Sequence, residues 1–249
     1  MQIIIDYEFL SLKEFVESLP LDFHTLPEAK TIHEGRNEVK MVERDGVKMV
    51  VKSFVRMTST NRMIYGSLRQ SKSMRAYRHA ERLLALGIDT PKPIAAIDVQ
   101  RYGLLKQSFF VAEYSDYESA TILNSHPTNI ELRPLMDALA EFIFIVHNAG
   151  VLHQDLNVSN ILYKLDDDGV YKFQLIDNNR IVFKSHLTIN ERIENMRRLS
   201  CHPAAYAYIL DKYAEFTTKD AQTFQLRGLI ARLLFEIRQR TKRFLKKSL

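Results

Sequence analysis

One block in the second half of the sequence allows few folds, because three patterns come one after another without a break. Apolar residues recur at helical spacing over residues 134–148, and Gly150 just beyond suits a left-handed helix cap. Two strand-like runs, 160–165 and 170–176, then flank a turn signal at 166–169. We therefore predict a helix, a short polar loop and an antiparallel hairpin, in this order.

The polar loop in this block places His153, Asp155 and Asn160 at the spacing H-x-D-x-x-x-x-N. In a phosphotransferase loop of this pattern, the aspartate takes or orients the proton of the attacking hydroxyl, and the asparagine holds magnesium on the nucleotide phosphates. Chance is the alternative, since a loop between a helix and a strand favours polar residues anyway. The flanking helix and hairpin favour the catalytic interpretation, with His153 and Asp155 as catalytic residues and Asn160 as a metal ligand.

Asp177 closes the hairpin, at the place where a second magnesium ligand is expected. Magnesium is a hard cation that takes oxygen ligands, so one Asp, one Asn amide and phosphate oxygens suffice. The alternative is a simple turn residue after a strand. Residues 177–179 read Asp-Asn-Asn where protein kinases have Asp-Phe-Gly, so we do not expect a phenylalanine switch. The consecutive aspartates at 166–168 lack the alternating ligand positions of a calcium loop, and we predict a hairpin turn there.

The N-terminal half offers a lysine on a strand. The β-rich runs 39–43 and 47–54 are joined through Asp-Gly at 45–46, which is a strong hairpin signal. Lys52 lies near the end of the second run, where nucleotide phosphates and a helix glutamate would pair its charge. The alternative is that Lys52 stands with Lys48 on a solvated strand face.

Three further features are candidates for nucleotide contacts. A turn around Gly35 with Arg36 precedes the hairpin and offers backbone amides and a positive charge to phosphate. The predicted helix 72–86 contains one acid, Glu81, which is the candidate partner of Lys52. After a strand at 108–112, Glu113 and Tyr114 mark a polar hinge whose main-chain groups would bind adenine.

Several of these segments together resemble the lipopolysaccharide kinase family, which includes Kdo and core-heptose kinases. The resemblance runs from about residue 30 to residue 200. Its residues are Gly35-Arg-Asn37, Val50-Val-Lys-Ser-Phe54, Leu86-Gly-Ile-Asp-Thr-Pro91, His153-Gln-Asp-Leu-Asn157 with Asn160, and Ile176-Asp177. Departures are Gln154, the Asp-Asn-Asn segment and the late position of Glu81.

The resemblance implies a protein-kinase-like α+β fold with two lobes. We expect an N-lobe at 1–113, with a small antiparallel β-sheet and one helix, and a mainly helical C-lobe at 114–249. It also implies ATP and magnesium as co-substrates and an inner-core sugar hydroxyl, on a glycolipid or free sugar, as acceptor. The side chains at 155, 160 and 177 are then expected to meet around one metal–nucleotide site with Lys52.

Composition limits the compartment and the partners. A single cysteine, Cys201, excludes an intramolecular disulfide, and neither a signal peptide nor a run long enough to span a membrane is apparent. We therefore expect a cytoplasmic protein. No nucleic-acid-binding motif or aromatic and basic platform accompanies the net charge of +5, so no nucleic acid partner is expected.

The positive charge is concentrated at the C-terminal end, where 226–249 reads as a basic amphipathic helix. Such a helix can lie on an anionic membrane, here the inner face of the cytoplasmic membrane. The alternative is a final helix that packs its apolar side on the core. That side is formed by Leu226, Ile230, Leu233, Ile237 and Phe244.

The segment after Asp177 constrains the choice of acceptor. The Ala-Pro-Glu segment that docks peptides in protein kinases is absent from the sequence, and a predicted helix at 190–199 comes soon after Asp177. This favours a small or glycan hydroxyl, and Arg192, Arg197 or Arg198 are candidates to bind an anionic sugar. Two alternatives remain open: a protein Ser/Thr kinase and a nucleotide-binding pseudokinase scaffold.

Overall fold

The structure is a computed structural model that describes residues 1–35, 37–54, 70–125, 130–217 and 220–247. It contains two compact units. The first unit comprises Met1–Asp116 and Asp177–Asn179, and the second comprises Tyr117–Ile176 and Arg180–Leu249. We predicted a boundary after residue 113, whereas the first unit extends to Asp116 and also takes up the Asp-Asn-Asn segment. The predicted α+β class is confirmed.

The first unit is built on a six-stranded sheet whose neighbouring strands all pair antiparallel, in the order β1-β5-β6-β4-β3-β2. The predicted hairpin between β3 and β4 is confirmed. Asp45 and Gly46 form its turn with φ of 51° and 75°, as a two-residue hairpin loop of this type requires. The strands are β1 Gln2–Ile5, β2 Lys30–Glu34, β3 Glu38–Arg44, β4 Val47–Ser53, β5 Pro93–Arg101 and β6 Leu104–Glu113.

Among the described residues of the first unit, two α-helices pack on the sheet, where we predicted one. Helix α1, Lys13–Asp22, buries Val16 and Leu19 in a core that includes Met49 and Val51 of β4. Helix α2, Lys72–Ala85, packs Met74 and Tyr77 against Ala96 of β5. Helix α2 confirms the predicted helix at 72–86. Strand β1 and helix α1 were not anticipated.

Side chains alternate along β4, and this places Lys52. Met49 and Val51 are buried on the α1 face, so Lys52 points to the opposite face. It pairs directly across from Phe110 of β6, which packs with the α2 cluster. Lys52 therefore lies on the sheet face that α2 covers.

The second unit is mainly helical, as predicted, with two small antiparallel sheets. The sheets are ordered β10-β9-β7 and β11-β8. The helices are α3 Ile122–Ser125, α4 Arg133–Asn148, α5 Ile189–Met196, α6 Pro203–Thr217 and α7 Ala221–Lys247. The strands are β7 Glu118–Ser119, β8 Val151–His153, β9 Ile161–Leu165, β10 Tyr171–Leu175 and β11 Ile181–Phe183.

Helix α4 confirms the predicted helix, and Gly150 confirms the predicted left-handed cap with φ of 74°. The carbonyl of Gly150 accepts a hydrogen bond from the Lys184 amide at 2.8 Å. A Cβ atom at position 150 would lie 1.9 Å from the Lys184 carbonyl oxygen, so the chain passes too close for any side chain there. The cap thus fixes β11 beside the start of the polar loop.

The hairpin of β9 and β10 has the predicted position and turn. Asp166 Oδ1 accepts hydrogen bonds from the amides of Asp168 and Val170, at 3.1 and 2.7 Å. Gly169 adopts a φ of 76°. These bonds hold the acidic run as a hairpin turn.

The C-terminal helix α7 forms as predicted, but it does not pack through the side that the second interpretation put on the core. Its contacts with the second unit run through Phe224, Gly228 and Phe235. No helix among the described residues is both long enough and apolar enough to cross a membrane.

Candidate active site

The polar loop of the second unit is held from behind by His153. Strand β8 pairs with β11, His153 opposite Ile181, and the His153 ring is fully buried. Its Nε2–H donates to the Ile176 carbonyl at 3.0 Å, and its Nδ1 accepts from the Asp155 amide at 3.3 Å. Both ring nitrogens are therefore engaged within the protein. We predicted a catalytic role for His153, whereas these two bonds support a role in positioning the loop.

Asp155 and Asn160 are brought together in this loop. The Asn160 amide Nδ2 donates to the Asp155 carbonyl at 2.9 Å, and the Asn160 carbonyl accepts from the Ile176 amide at 3.0 Å. The Asp155 side chain is 48% exposed, and its Oδ2 lies 4.0 Å from Nη1 of Arg180. The loop thus presents one carboxylate to solvent and fixes the asparagine amide beside it.

A chain of hydrogen bonds inside the second unit supports His153. Asn195 of α5 donates from Nδ2 to the His153 carbonyl at 2.9 Å. Its Oδ1 lies 3.1 Å from His147 Nε2, and His147 Nδ1 lies 2.7 Å from the Tyr213 hydroxyl. Arg192 Nη1 in turn donates to that hydroxyl at 3.3 Å. Because Asn195 accepts through Oδ1, His147 carries its proton on Nε2 and accepts the Tyr213 hydroxyl proton on Nδ1.

Burial lowers the pKa of His147 from 6.5 to about 4, and the nearby Arg192 charge also lowers this pKa. The ring is therefore neutral near pH 7, as the hydrogen-bond directions require. A neutral ring fixes the tautomer and so the direction of every bond in the chain. This chain of hydrogen bonds ends on the backbone of the polar loop, at the His153 carbonyl.

Lys52 and Asp177 are brought together in the first unit. Lys52 Nζ lies 2.7 Å from Asp177 Oδ1, and the side chains are 17% and 29% exposed. Lys52 is thus paired with a carboxylate, as predicted, but the carboxylate is that of Asp177 and not that of Glu81. Asp177 has a φ of 59°, which is unusual for a residue other than glycine. Such strain is found where a functional side chain must point in one direction.

The two asparagines after Asp177 hold this segment to the first unit. The Asn178 amide donates to the Thr90 hydroxyl at 2.8 Å, and the Asn178 carbonyl accepts from His79 Nδ1 at 2.7 Å. Asn179 donates to Asp177 Oδ1. Burial lowers the pKa of His79, which keeps the ring neutral. Where Asp-Phe-Gly has a phenylalanine, this chain has Asn178, which is held by hydrogen bonds to His79 of α2 and to Thr90.

Glu81 does not pair with Lys52 in the structure, and this prediction is corrected. Its carboxylate is hydrogen-bonded to the Tyr77 hydroxyl, and burial and the Asp6 charge raise the pKa of Glu81. Helix α2 lies on the sheet face of Lys52, as the prediction required, but its acid is not the carboxylate that Lys52 contacts. Lys52 takes the carboxylate of Asp177, far along the chain.

Of the other residues predicted to contact the nucleotide, the structure describes Gly35, Glu113 and Tyr114. Gly35 directly follows β2, in the connection to β3 where Glu34 pairs with Glu38. Arg36 lies outside the described residues. The amides of Glu113 and Tyr114 donate to the carbonyls of Lys92 and Lys48, both at 2.9 Å. These two amides are therefore committed to the fold, and main-chain contacts with adenine from this segment must use other groups.

Each of the two predicted magnesium ligands has an oxygen donor of the kind that a hard cation prefers. Because Asn160 uses Nδ2 on the Asp155 carbonyl, its Oδ1 is left as the atom for a hard cation. Asp177 adds a carboxylate. Among the described residues, no group of three or more His, Cys, Asp and Glu side chains is arranged so that it could hold a metal ion. A site with one aspartate, one amide oxygen and phosphate oxygens requires none.

A polar cavity of about 290 Å³ lies beside the catalytic loop within the second unit. Leu152 and Val182 provide its apolar lining. The polar lining includes Gln154, Lys184, Asn195 and Arg198, together with two glutamates. Of the three arginines predicted to bind an anionic sugar, Arg198 lines this cavity. Arg192 is instead bonded to Tyr213 and to Asn148 Oδ1, the latter at 2.8 Å, and Arg197 is paired with Glu194.

Three residues of the site were not predicted from the sequence: Asn195, His147 and Arg180. Arg180 reaches Asp155 only because β11 pairs with β8, and Asn195 lies 42 residues from His153. No local pattern marks either contact. In the sequence, His147 lies within a helix of mostly apolar residues, and nothing there distinguishes it as part of the site.

Comparison with known proteins agrees with this geometry. The lipopolysaccharide kinase (Kdo/WaaP) family model matches residues 21–226. The chain is 16% identical to the structure of WaaP in complex with acyl carrier protein, covering 94% of this chain and 100% of that one, with a TM-score of 0.62. It is 14% identical to an aminoglycoside-3'-phosphotransferase of type VIII, covering 87% and 98%, with a TM-score of 0.55.

At these identities the two structures show the fold, which is protein-kinase-like. No curated protein sequence matches the chain. The family model covers most of the chain and includes both Lys52 and the catalytic loop. The chain is therefore a kinase, and it belongs to the lipopolysaccharide kinase (Kdo/WaaP) family.

Proposed function

We propose that this kinase uses ATP and magnesium to phosphorylate a sugar hydroxyl of the lipopolysaccharide inner core. The observation that supports this most directly is the catalytic loop, where an exposed Asp155 carboxylate and an amide-anchored Asn160 stand on a buried scaffold. The strained Asp177 paired with Lys52 supplies the second set of groups that phosphoryl transfer needs.

Each residue has one role in this proposal. Asp155 accepts a hydrogen bond from the acceptor hydroxyl and orients its oxygen toward the γ-phosphorus. It takes the hydroxyl proton as the oxygen–phosphorus bond forms and the bond from the γ-phosphorus to the leaving ADP oxygen breaks. Lys52 neutralises charge on the α- and β-phosphates. Arg180 lies beside Asp155 and adds a positive charge near the reacting group.

Asn160 and Asp177 are the proposed ligands of magnesium. The bound ion would neutralise phosphate charge during transfer. In this scheme His153 and Asn195 act by fixing the backbone from which Asp155 projects. Catalysis of this kind consists mainly of positioning and charge stabilisation, so a rigid loop backbone is part of the mechanism.

The nucleotide contacts of the first unit are also proposals. The turn at Gly35 and Arg36 would contact phosphate, and main-chain groups near Glu113 and Tyr114, other than their amides, would contact adenine. Glu81 is left out of the nucleotide site because Tyr77 takes its carboxylate.

A sugar acceptor is supported by the family and by the polar cavity beside the loop. The Gln154 amide and the glutamates of this cavity can bond to sugar hydroxyls, and the positive charges of Lys184 and Arg198 suit an anionic ring. Since such an acceptor is built on a lipid anchor, we propose that the enzyme works at the inner face of the cytoplasmic membrane, with residues 226–249 near the lipid.

The test is to incubate the protein with γ-labelled ATP, magnesium and either core lipopolysaccharide or a protein extract. We expect label on the lipopolysaccharide only. Label on protein would instead identify a protein Ser/Thr kinase, and no label on either, with ATP still bound, would identify a pseudokinase. Mass spectrometry of the core from cells with and without the protein should show the loss of one phosphate.

A further inference from the structure

The C-terminal helix α7 has two apolar faces, and only one of them is used by the fold. The inner face packs Phe224 on Tyr213, with ring centroids 5.5 Å apart. Gly228 lies so close to α6 that a Cβ atom there would be 2.5 Å from the Leu210 side chain. Its carbonyl accepts the Tyr206 hydroxyl at 3.2 Å. The helix is thus fixed in rotation about its axis.

Because the rotation is fixed, the opposite face points outward. We call its apolar residues the outer stripe, which lies about half a turn around the helix from Phe224 and extends roughly 27 Å along it. Its members are between 49% and 71% exposed. An outward face of a soluble helix is normally polar, so five exposed apolar residues along one side indicate a surface that something covers. The outer stripe consists of Leu226, Ile230, Leu233, Ile237 and Phe244.

The charges around the outer stripe indicate what covers it. Residues 221–249 contain eight basic residues and one acid, Glu236, so they carry more positive charge than the whole chain, whose net charge is +5. The preceding 220 residues are slightly negative. Arg238 and Arg243 flank the stripe, each about 110° from it around the helix. Both are exposed, as are Arg240 and Lys242.

Two basic residues of the helix bond to the rest of the second unit, and Arg227 does so by donating to Asn190 Oδ1. Arg232 donates to the Cys201 carbonyl at 3.1 Å and to the Leu199 carbonyl, and it pairs with Glu236. This arrangement neutralises the single acid of the segment on the inner side. The outward side of the helix is therefore apolar along its centre and basic along its edges.

We propose that α7 binds flat on an anionic lipid surface, with the outer stripe inserted among the acyl chains and Arg238, Arg240 and Arg243 at the headgroups. This is the arrangement of an interfacial amphipathic helix, whose binding combines apolar burial with attraction to anionic lipid. A straight stripe suits a flat surface. Pairing two copies through the stripe would bring two strongly basic edges together, which opposes a dimer.

The test measures cosedimentation of the full chain with vesicles of phosphatidylcholine alone or mixed with phosphatidylglycerol. We expect binding to the mixed vesicles only, weakened by salt. Arg238→Gln, Arg240→Gln and Arg243→Gln together should weaken binding on the order of 100-fold, at about fivefold per charge. Leu233→Glu with Ile237→Glu should reduce binding by more than about tenfold at any salt concentration, because two charges would then lie in the apolar layer.

Matched controls separate the helix from general effects. Lys30→Gln with Lys106→Gln removes two exposed charges of the first unit, and Leu21→Glu changes an exposed leucine there; each should bind as wild type. Far-ultraviolet circular dichroism verifies folding, which the exposed positions of the stripe should leave intact.

Three outcomes would overturn the proposal: no binding of the wild type to anionic vesicles, unchanged binding of the stripe variant, or a dimer in light scattering that Leu233→Glu dissociates. The first outcome would indicate that an acidic protein covers the outer stripe, and the last would indicate that a second copy of this chain covers it. Vesicle binding needs no phosphoryl transfer, so these results are independent of the proposed function.

Discussion

Replacing Asn195 by leucine tests whether the buried hydrogen-bond chain holds the catalytic loop in place. Asn195 is 3% exposed, and His147 and His153 are both fully buried. The substitution keeps the approximate volume but removes the acceptor for His147 Nε2–H and the donor to the His153 carbonyl. Water cannot readily replace either partner at this depth.

The magnitude of the effect is set by these two lost partners. Each buried polar group left unsatisfied costs about 1–3 kcal/mol, so the free energy of unfolding should fall by roughly 2–6 kcal/mol. The loop backbone loses one of its anchors as well. A displacement of Asp155 by a fraction of an ångström should lower kcat by about tenfold to a hundredfold and leave the KM for ATP unchanged.

Two comparison variants separate stability from positioning. His147→Phe leaves Asn195 bonded to the His153 carbonyl, so it should cost stability, because Asn195 Oδ1 and the Tyr213 hydroxyl lose a partner, while kcat is retained. Asn148→Leu removes an exposed hydrogen bond from Arg192 and should cost less than about 1 kcal/mol. Urea denaturation and steady-state kinetics measure the two quantities.

A wild-type kcat in Asn195→Leu would refute the positioning role of Asn195, and so would a loss of kcat in His147→Phe as large as that in Asn195→Leu. An Asn195→Leu protein that unfolds at the same urea concentration as wild type would show that the hydrogen-bond chain is not the support that its geometry indicates.

Three other predictions concern the metal, the helix cap and pH. Asp177→Ala should weaken ATP binding with magnesium more than without it in calorimetry, whereas Asp167→Ala, in an exposed turn, should change neither; equal effects would contradict the metal role. Gly150→Ala should lower the free energy of unfolding by roughly 2–5 kcal/mol, because of its positive φ and its contact with Lys184. Gly169→Ala, which has a similar φ but open space around it, should lower it by about 1–2 kcal/mol. Equal losses in the two variants would show that the contact with Lys184 does not matter. Because the pKa of His147 falls from 6.5 to about 4 on folding, the unfolded chain takes the proton first, so stability is full above pH 6.5 and declines by roughly 3 kcal/mol toward pH 4; His147→Phe should remove this part of the decline.

Much of the second unit could be predicted from the sequence because its signals are local. The helix before the loop, the left-handed Gly150 and the Asp166 turn each depend on residues within a few positions of one another. The spacing of Asp155 and Asn160 is local in the same way, since the bond between them closes a loop of five residues. Such features need no knowledge of the rest of the fold.

The contacts that orient the site could not be predicted, because they join distant segments. The helix nearest in sequence suggested Glu81 as the partner of Lys52, whereas strand pairing and the turn at Asp177 bring that aspartate to Lys52. The amides of Glu113 and Tyr114 were expected to be available to a ligand, but the sheet edge uses them. The rotation of α7 likewise depends on Gly228 packing against α6.

A comparison of wild type with Asp155→Asn, in transfer of the ATP γ-phosphate to core lipopolysaccharide, tests directly whether Asp155 takes the proton of the acceptor hydroxyl. We predict that the variant binds magnesium–ATP with wild-type affinity but transfers no phosphate, because the amide cannot take that proton. Transfer at the wild-type rate by Asp155→Asn would contradict this role.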